Sequence, residues 1–127
     1  MINLSGQRLE QYQNGRIIEI IPRQGYTVDT VQSFKGGKFG LVLPFEIDGE
    51  TVTAELPNHQ LLSYGVLTVR VTYRSEDGYY DSETQSFTVH RAVKPANYEF
   101  VENETLDLYD IGGSSGDSKL VVNFSYG

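Results

Sequence analysis

Residues 66–73 read Val-Leu-Thr-Val-Arg-Val-Thr-Tyr, and the strict alternation of apolar and polar side chains makes this stretch decisive for the fold. In an extended chain, side chains two positions apart lie on the same face. One face here carries Leu67, Val69, Val71 and Tyr73. The other face carries threonines and an arginine, so the period of two predicts a half-buried β-strand.

Further strands are predicted on both sides of this stretch. Residues 75–78, Ser-Glu-Asp-Gly, form a turn signal, and residues 83–89 return with Phe87 and Val89 facing inward. Upstream strands are predicted from β-branched or alternating residues over 16–21, 26–31, 39–47 and 51–56. Residues 26–90 therefore hold about five strands at regular spacing, which is typical of a compact antiparallel sandwich or barrel.

The strands over 39–47 and 51–56 are predicted to form a hairpin. Asp48-Gly49 lies between them, and a type I′ turn needs positive φ at both central positions, which this dipeptide tolerates. Pro44 lies inside the first strand and cannot donate a ladder hydrogen bond. We therefore expect that strand at a sheet edge or a bulge.

The chain of 127 residues predicts one domain with an extension at each end. Residues 1–15 are polar and are predicted to be an N-terminal arm, residues 16–94 the sandwich, and residues 95–127 an acidic C-terminal extension. The extension has six acidic residues against Lys119 alone, which is −5 of the net −7. A partner with a basic surface is expected there.

The extension contains a linker and a last strand. Residues 112–116, Gly-Gly-Ser-Ser-Gly, are a flexible linker by composition. Residues 120–124, Leu-Val-Val-Asn-Phe, are predicted to be a short strand. Such a strand either folds back on its own sheet or adds to the edge of a neighbour's sheet, and the sequence leaves both arrangements open.

The acidic charge excludes several classes of protein. A pI near 4.7 argues against nucleic-acid binding, which needs clustered Lys and Arg, and against docking on an anionic membrane. The start of the chain lacks the basic head and apolar middle of a signal peptide. We therefore expect synthesis in a host cytoplasm or assembly into a particle there.

No catalytic, cofactor or metal site is predicted. The chain has no Cys, which excludes disulfides and Cys-ligated metals. Residues 112–116 match Gly-x-Ser-x-Gly formally, but that nucleophile motif needs a strand-to-helix turn in an α/β sheet. His59 is predicted to bond a loop carbonyl and His90 to be solvated. The acidic residues around Asp81 lack the spacing of a calcium loop.

Tyrosine is the unusual feature of the composition, with nine residues. The predicted interface residues are Tyr64, Tyr79, Tyr80, Tyr98, Tyr109 and, near the C terminus, Leu120, Val122, Phe124 and Tyr126. Tyrosine suits protein interfaces because its ring is apolar and its tip polar. The alternative is a carbohydrate-binding or adhesin-like module that uses Tyr64, Tyr79, Tyr80 and nearby carboxylates. Protein contact is preferred, because sugar platforms usually use Trp and this chain has none.

The middle of the chain resembles a known class of module. Residues 56–67 contain the pattern Asn-His-x-Leu-x-x-x-Gly-x-Leu, which begins at Asn58, and residues 69–73 and 84–89 follow as strands. This succession is similar to small immunoglobulin-like modules of virion proteins from tailed phages of Bacteroides-like gut bacteria, crAss-like phages among them. The N-terminal domains of upper baseplate proteins are one example. The resemblance covers residues 36–90.

The resemblance implies an all-β, immunoglobulin-like antiparallel sandwich with a structural role in a virion. We therefore predict a non-enzymatic capsid auxiliary or decoration protein, since a length near one domain suits that role better than a long fibre. A fibre or baseplate adaptor is the alternative position. The expected partners are capsid, fibre or baseplate proteins and further copies of the chain, which gain avidity on a repeating lattice.

Overall fold

The structure is a computed structural model that describes residues 1–36 and 40–103 and the backbone of residues 106–107. Its strands, in chain order, are β1 (Ile2–Leu4), β2 (Leu9–Glu10), β3 (Ile17–Ile20), β4 (Tyr26–Lys35), β5 (Leu41–Val42), β6 (Phe45–Asp48), β7 (Thr51–Glu55), β8 (Gly65–Ser75), β9 (Tyr80–His90) and β10 (Leu106–Asp107). A 3-10 turn, Asn58–Leu61, joins β7 to β8. Within these described ranges, no helix is long and apolar enough to cross a membrane.

The strands form two sheets. The four-stranded sheet has the order β1-β3-β7-β6, and the six-stranded sheet has the order β10-β5-β4-β8-β9-β2. All pairs are antiparallel except β2 with β9. When β1, β3, β4, β6, β7, β8 and β9 are counted as seven strands, the third, sixth and seventh lie in one sheet and the other four in the second sheet, as in an immunoglobulin domain. The predicted all-β, immunoglobulin-like sandwich is confirmed.

The core lies between the sheets and is aliphatic. The four inward side chains predicted on β8 are all buried. They pack in one cluster with Ile18 and Ile20 of β3 and with Val52 and Ala54 of β7. The opposite face of β8 is more exposed, so the alternation that predicts the strand also places its faces correctly. Each buried aliphatic side chain contributes about 1.5–3 kcal/mol by leaving water.

The structure differs from the predicted arm over residues 1–15. Ile2 pairs with Ile20 across β1 and β3, and Leu9 pairs with Val89 across β2 and β9. Leu9 is 0% exposed. The chain crosses from one sheet to the other between these two short strands, and the Arg16 guanidinium donates hydrogen bonds to three carbonyls of the crossing. The first ten residues contain few apolar side chains because they place only one or two of them in each sheet.

The predicted strand over residues 39–47 is divided. The chain leaves the six-stranded sheet after β5 and enters the four-stranded sheet as β6, and Pro44 lies between them. The edge position is confirmed, because β6 is the outer strand. The period of two over residues 39–47 predicts Ile47 on the same inward face as Leu41 and Leu43, but Ile47 is 68% exposed at this edge. Asp48 pairs with Thr51, so the two central turn residues are Gly49 and Glu50 rather than the predicted Asp48 and Gly49. Of these two, only Gly49 has positive φ (65°), which fits type II′ rather than the predicted type I′.

The chain after residue 94 returns along its own sandwich. Asn14 donates a hydrogen bond to the Glu99 carbonyl at 3.0 Å, and β10 pairs with β5. Residues 95–103 and 106–107 therefore contact the sandwich of their own chain. The predicted linker over 112–116, the predicted strand over 120–124 and the candidates Tyr109, Leu120, Val122, Phe124 and Tyr126 lie outside the described residues.

Candidate interaction sites

The predicted tyrosines lie at opposite ends of the sandwich. Tyr64 comes directly before β8, whereas Tyr79 and Tyr80 follow the turn at the other end of that strand. The 11 residues of β8 span about 33 Å at 3.3 Å per residue. The structure therefore does not bring Tyr64 together with Tyr79 and Tyr80, and a sugar platform built from all three does not form.

Tyr79 and Tyr80 form an exposed aromatic pair at the tip of the longest hairpin. Their exposures are 72% and 63%. The tip is rigid, because Ser75 and Tyr79 close it with a 2.8 Å backbone hydrogen bond and the Ser75 hydroxyl accepts the Tyr79 N–H at 3.0 Å. Gly78 adopts the φ of 88° that this turn requires. A fixed aromatic pair loses little side-chain entropy on binding a partner.

A cluster of side chains that extends from the core to the surface lies at the base of this hairpin, and we call it the Tyr73 cluster. It comprises Arg23, Tyr26, Tyr73, Asp81 and Glu83. The Tyr73 hydroxyl donates to Glu83 at 2.6 Å, and the Tyr73 and Tyr26 rings meet edge to face at 6.5 Å. The Arg23 guanidinium lies 4.9 Å from the Tyr26 ring centroid and forms an ion pair with Asp81. The cluster joins the β3–β4 loop to the β8–β9 hairpin.

The pKa values in the Tyr73 cluster follow from its contacts. Burial and the hydrogen bond to Glu83 raise the pKa of Tyr73 well above its usual range. Burial alone would raise the pKa of Glu83, but hydrogen bonds from Tyr73 and from the Met1 amine outweigh it and lower that pKa. Glu83 is therefore a carboxylate at neutral pH, and Tyr73 stays protonated as its donor.

Arg23 and Tyr26 were not predicted as part of a site. Tyr26 begins a strand and has the appearance of a core residue in the sequence. Nothing local places Arg23 beside Asp81, which is 58 positions away. The one available signal is that Pro22 and Gly25 flank a short polar loop directly before a strand, which is a common place for a functional loop.

The tyrosines at the other end are engaged within the chain. The Arg91 guanidinium lies 4.4 Å from the Tyr64 ring centroid. Tyr98 is half-buried and meets Tyr12 edge to face at 5.4 Å, with the Lys94 ammonium 5.9 Å from its centroid. The Tyr98 hydroxyl is buried and has no hydrogen-bond partner among the described residues. Tyr98 therefore packs the C-terminal extension onto the sandwich rather than presenting a free ring.

The Asn-His-x-Leu pattern is a structural junction, which we call the Asn58 junction. The Asn58 side chain is buried; its oxygen accepts the Gly15 N–H at 3.0 Å and its amide donates to the Val101 carbonyl at 2.6 Å. The Asn103 oxygen accepts the Asn58 backbone N–H. Three segments of the chain are thus fastened at one side chain, while the neighbouring His59 is exposed.

A second polar group supports the same turn. The Ser33 hydroxyl donates to the Gln60 side-chain oxygen at 2.7 Å, and both residues are buried. The Lys35 ammonium donates to the carbonyls of Gln60 and Ser63 at 2.9 and 2.6 Å, and burial lowers the pKa of Lys35. These contacts satisfy buried groups and leave no polar atom of this set for a ligand.

Several surface grooves of similar size lie among the described residues. One open groove lies between the β3–β4 loop and the β6–β7 turn, and Ile47 and Val52 line one wall. Within residues 1–36 and 40–103, no three His, Asp or Glu side chains converge as a metal site would require. Tyr79 and Tyr80 have the most exposed aromatic side chains among the described residues.

The two sheets and their strand order define an immunoglobulin-like sandwich. One solved structure similar to this chain is that of murine CRIg, an immunoglobulin-like protein, at 14% identity and a TM-score of 0.47, covering 73% of this chain and 99% of that one. No family model matches the chain, and no curated protein matches its sequence.

Proposed function

We propose that the chain is a non-enzymatic structural protein of a phage virion, positioned as a capsid auxiliary protein that binds other virion proteins. The resemblance of residues 56–67 to virion modules supplies the class of particle. The observation that carries the binding role is the exposed pair Tyr79 and Tyr80 on a braced hairpin. Exposed aromatic pairs of this kind are characteristic anchors of protein interfaces.

The surroundings of the pair suit a weak, repeated contact. Arg23 and Asp81 neutralise each other beside it, whereas Glu76 and Asp77 in the same turn are exposed acidic residues, so the surface next to the pair favours a partner with basic side chains. Two tyrosines bury an area well below that of a stable stand-alone interface. Many copies bound side by side on a regular capsid surface would gain the missing affinity through avidity.

The carbohydrate-binding alternative loses one of its three tyrosines, because Tyr64 lies at the opposite end of the sandwich. Asp81, which follows Tyr80 in the sequence, forms an ion pair with Arg23 instead of being free to accept sugar hydroxyls. We therefore retain protein binding as the proposal. Sugar binding would appear as signal on a glycan array that disappears when Tyr79 and Tyr80 are replaced.

The test is co-sedimentation of the purified chain with capsids of the phage that encodes it. We expect the wild-type chain to sediment with the particles and the double variant Tyr79→Ser/Tyr80→Ser to lose about tenfold or more in affinity. The matched control is Val93→Ser, which replaces another exposed apolar residue and should bind normally. Absence of wild-type binding, or equal loss in the control, would overturn the proposal.

A further inference from the structure

The outward side of the four-stranded sheet carries a group of carboxylates, which we call the acidic face. Side chains alternate in direction along a strand, so the residues next to the core-facing Ile18 and Ala54 point outward. The acidic residues on this side are Glu19 of β3, Glu46 and Asp48 of β6, and Glu55 of β7. All four are exposed, and the four strands of this sheet contain no Lys or Arg.

Strand pairing places these carboxylates close together. Glu19 and Glu46 pair with Thr53 from its two sides, so their backbones are two strand spacings apart, about 10 Å. Asp48 follows two residues later on β6, about 7 Å from Glu46. None of the four acidic residues forms an ion pair with another residue that the structure describes, and Glu55 accepts a neutral amide N–H. Like charges at this spacing repel one another, and a basic partner would remove that repulsion.

The outward side of the six-stranded sheet has the opposite charge along β4, β8 and β9, and we call it the basic face. Alternate residues of β8 from Leu67 to Tyr73 face the core, so Arg70 and Arg74 point outward, and both are exposed. Four residues along β8 separate the two arginines, about 13 Å. Neither arginine forms an ion pair within the described part of the chain.

The residues beside the two arginines carry no charge. Asp81 and Glu83 pair with core-facing residues of β8, so both carboxylates lie on the inner side of β9. Asp29 is the extra residue at the β4 bulge and has no partner on β8; its carboxylate accepts the Thr30 hydroxyl at 3.0 Å. The residues paired with the two arginines are Gln32, Thr84, Thr27 and Tyr80.

Short side chains around the charges allow the two kinds of face to approach closely. Thr68 and Thr72 lie on either side of Arg70 along β8. Thr51 and Thr53 of β7 lie beside the acidic residues of β6. Sheets with such side chains on the facing surfaces stack about 10 Å apart, so arginine and carboxylate groups can meet without a rearrangement of the backbone.

We propose that the basic face of one copy of the chain binds the acidic face of a second copy. Asp48 pairs with Thr51, and Glu55 follows four residues later on that strand, so Asp48 and Glu55 are about 14 Å apart. This separation is close to that of the two arginines, so each guanidinium can meet one carboxylate. Arginine binds carboxylates through two parallel hydrogen bonds, and opposite charges on facing surfaces select the partner.

The positions of the two faces determine the kind of assembly. They lie on different sheets and on opposite sides of the sandwich. A two-fold dimer through either face would bring like charges together, whereas a head-to-tail contact brings opposite charges together. Each bound copy then keeps one unused acidic or basic face, so the contact extends into a stack of copies.

Sedimentation of the purified full chain tests this contact. A few exposed charge pairs bind weakly, so we expect the average mass to exceed that of a monomer at about 1 mM and to fall as salt is added. Arg70→Gln/Arg74→Gln should weaken self-association about tenfold or more. The matched control Arg8→Gln/Lys94→Gln removes two exposed positive charges outside the basic face and should associate like the wild type. A monomeric wild type, or equal association of the arginine variant, would overturn the proposal.

A mixture of two variants identifies the occupant of the basic face. Glu46→Gln/Asp48→Asn/Glu55→Gln neutralises most of the acidic face and leaves the basic face intact. This variant and the arginine variant should each be monomeric alone, but a 1:1 mixture should form dimers and nothing larger, because each variant supplies one intact face. Wild-type association of the carboxylate variant alone would show that other carboxylates occupy the basic face and would overturn the proposal. Neither result depends on whether the protein belongs to a virion.

Discussion

Asn58 is 1% exposed and makes every hydrogen bond of its side chain and its backbone N–H to segments more than 40 positions away. A buried amide with both ends satisfied fixes geometry, because any shift of the three segments breaks a bond inside a low-dielectric region. The Asn-His-x-Leu pattern in the sequence therefore marks a junction of the fold rather than a binding residue.

Asn58→Ala should destabilise the protein by about 2–4 kcal/mol. The substitution leaves the Gly15 N–H and the Val101 carbonyl without the partners they have at 3.0 and 2.6 Å, and each buried unsatisfied group costs about 1–3 kcal/mol. Urea unfolding measures the change. The matched control is His59→Ala in the same turn, which is exposed and should stay within about 0.5 kcal/mol. Similar values for both variants would contradict the role of the junction.

Glu83→Gln should destabilise the protein by about 1 kcal/mol at neutral pH, because hydrogen bonds to a carboxylate are stronger than those to a neutral amide. The pKa of Glu83 is lowered in the folded protein, so its stabilisation is present above the unfolded pKa and is lost as the pH falls through the lower folded value. Chemical unfolding of both proteins from pH 7 to pH 3 measures the difference. A gap that stays constant over this acid range would show that the charge of Glu83 contributes nothing.

Some single-residue features of this protein follow from the local sequence pattern, and others do not. The inward side chains of β8 are predictable, because burial there depends on alternation alone. The partners of Asn58 and the ion pair of Arg23 with Asp81 are not, because both depend on contacts between segments that are distant in the chain. Candidate sites built from such contacts are invisible to a single sequence.

At the scale of elements, the strand that divides at Pro44 is the instructive case. Residues 39–47 keep a period of two throughout, and the period is the same whichever sheet a strand joins. The chain nevertheless changes sheets between β5 and β6. Pro44 predicts an edge or an interruption but not the transfer, because the transfer depends on where the other strands have already filled each sheet.

The β6–β7 turn gives an element-scale prediction. Gly49 has a φ of 65°, where a side chain costs about 1–2 kcal/mol. Gly49→Ala should therefore destabilise the protein by about 1 kcal/mol, and Gly49→Asn by less, since Asn tolerates this conformation. Thermal unfolding ranks the variants against the control Glu50→Ala, which has no such strain. Equal midpoints for Gly49→Ala and Glu50→Ala would contradict this turn geometry.

At the scale of the whole molecule, the first ten residues belong to the cooperative unit. Leu9 lies in the core cluster although it belongs to a strand of two residues. Leu9→Ala should cost about 2–5 kcal/mol, as for other buried leucines, whereas a residue in a detached arm would cost less than about 0.5 kcal/mol. Urea unfolding measures this, with Gln7→Ala in the exposed crossing as control. A change in the free energy of unfolding near zero for Leu9→Ala would contradict this packing and favour the predicted N-terminal arm.

The sandwich as a whole presents an exposed aromatic pair at the tip of the β8–β9 hairpin, which a backbone hydrogen bond between Ser75 and Tyr79 closes. The number of strands and the two-layer architecture follow from alternation and turn residues in the sequence. The sequence does not predict that the chain passes from one sheet to the other within its first ten residues and again at Pro44, because these transfers depend on how the sheets assemble.

Immunogold electron microscopy of purified phage particles tests the central claim most directly. An antibody against the sandwich should label the particles, with gold on the capsid shell at many sites per particle, as expected for a repeated auxiliary protein. Labelling confined to the tail or fibres would contradict the capsid position and favour an adaptor. Intact infectious particles without any label or detectable chain would contradict the assignment to the virion.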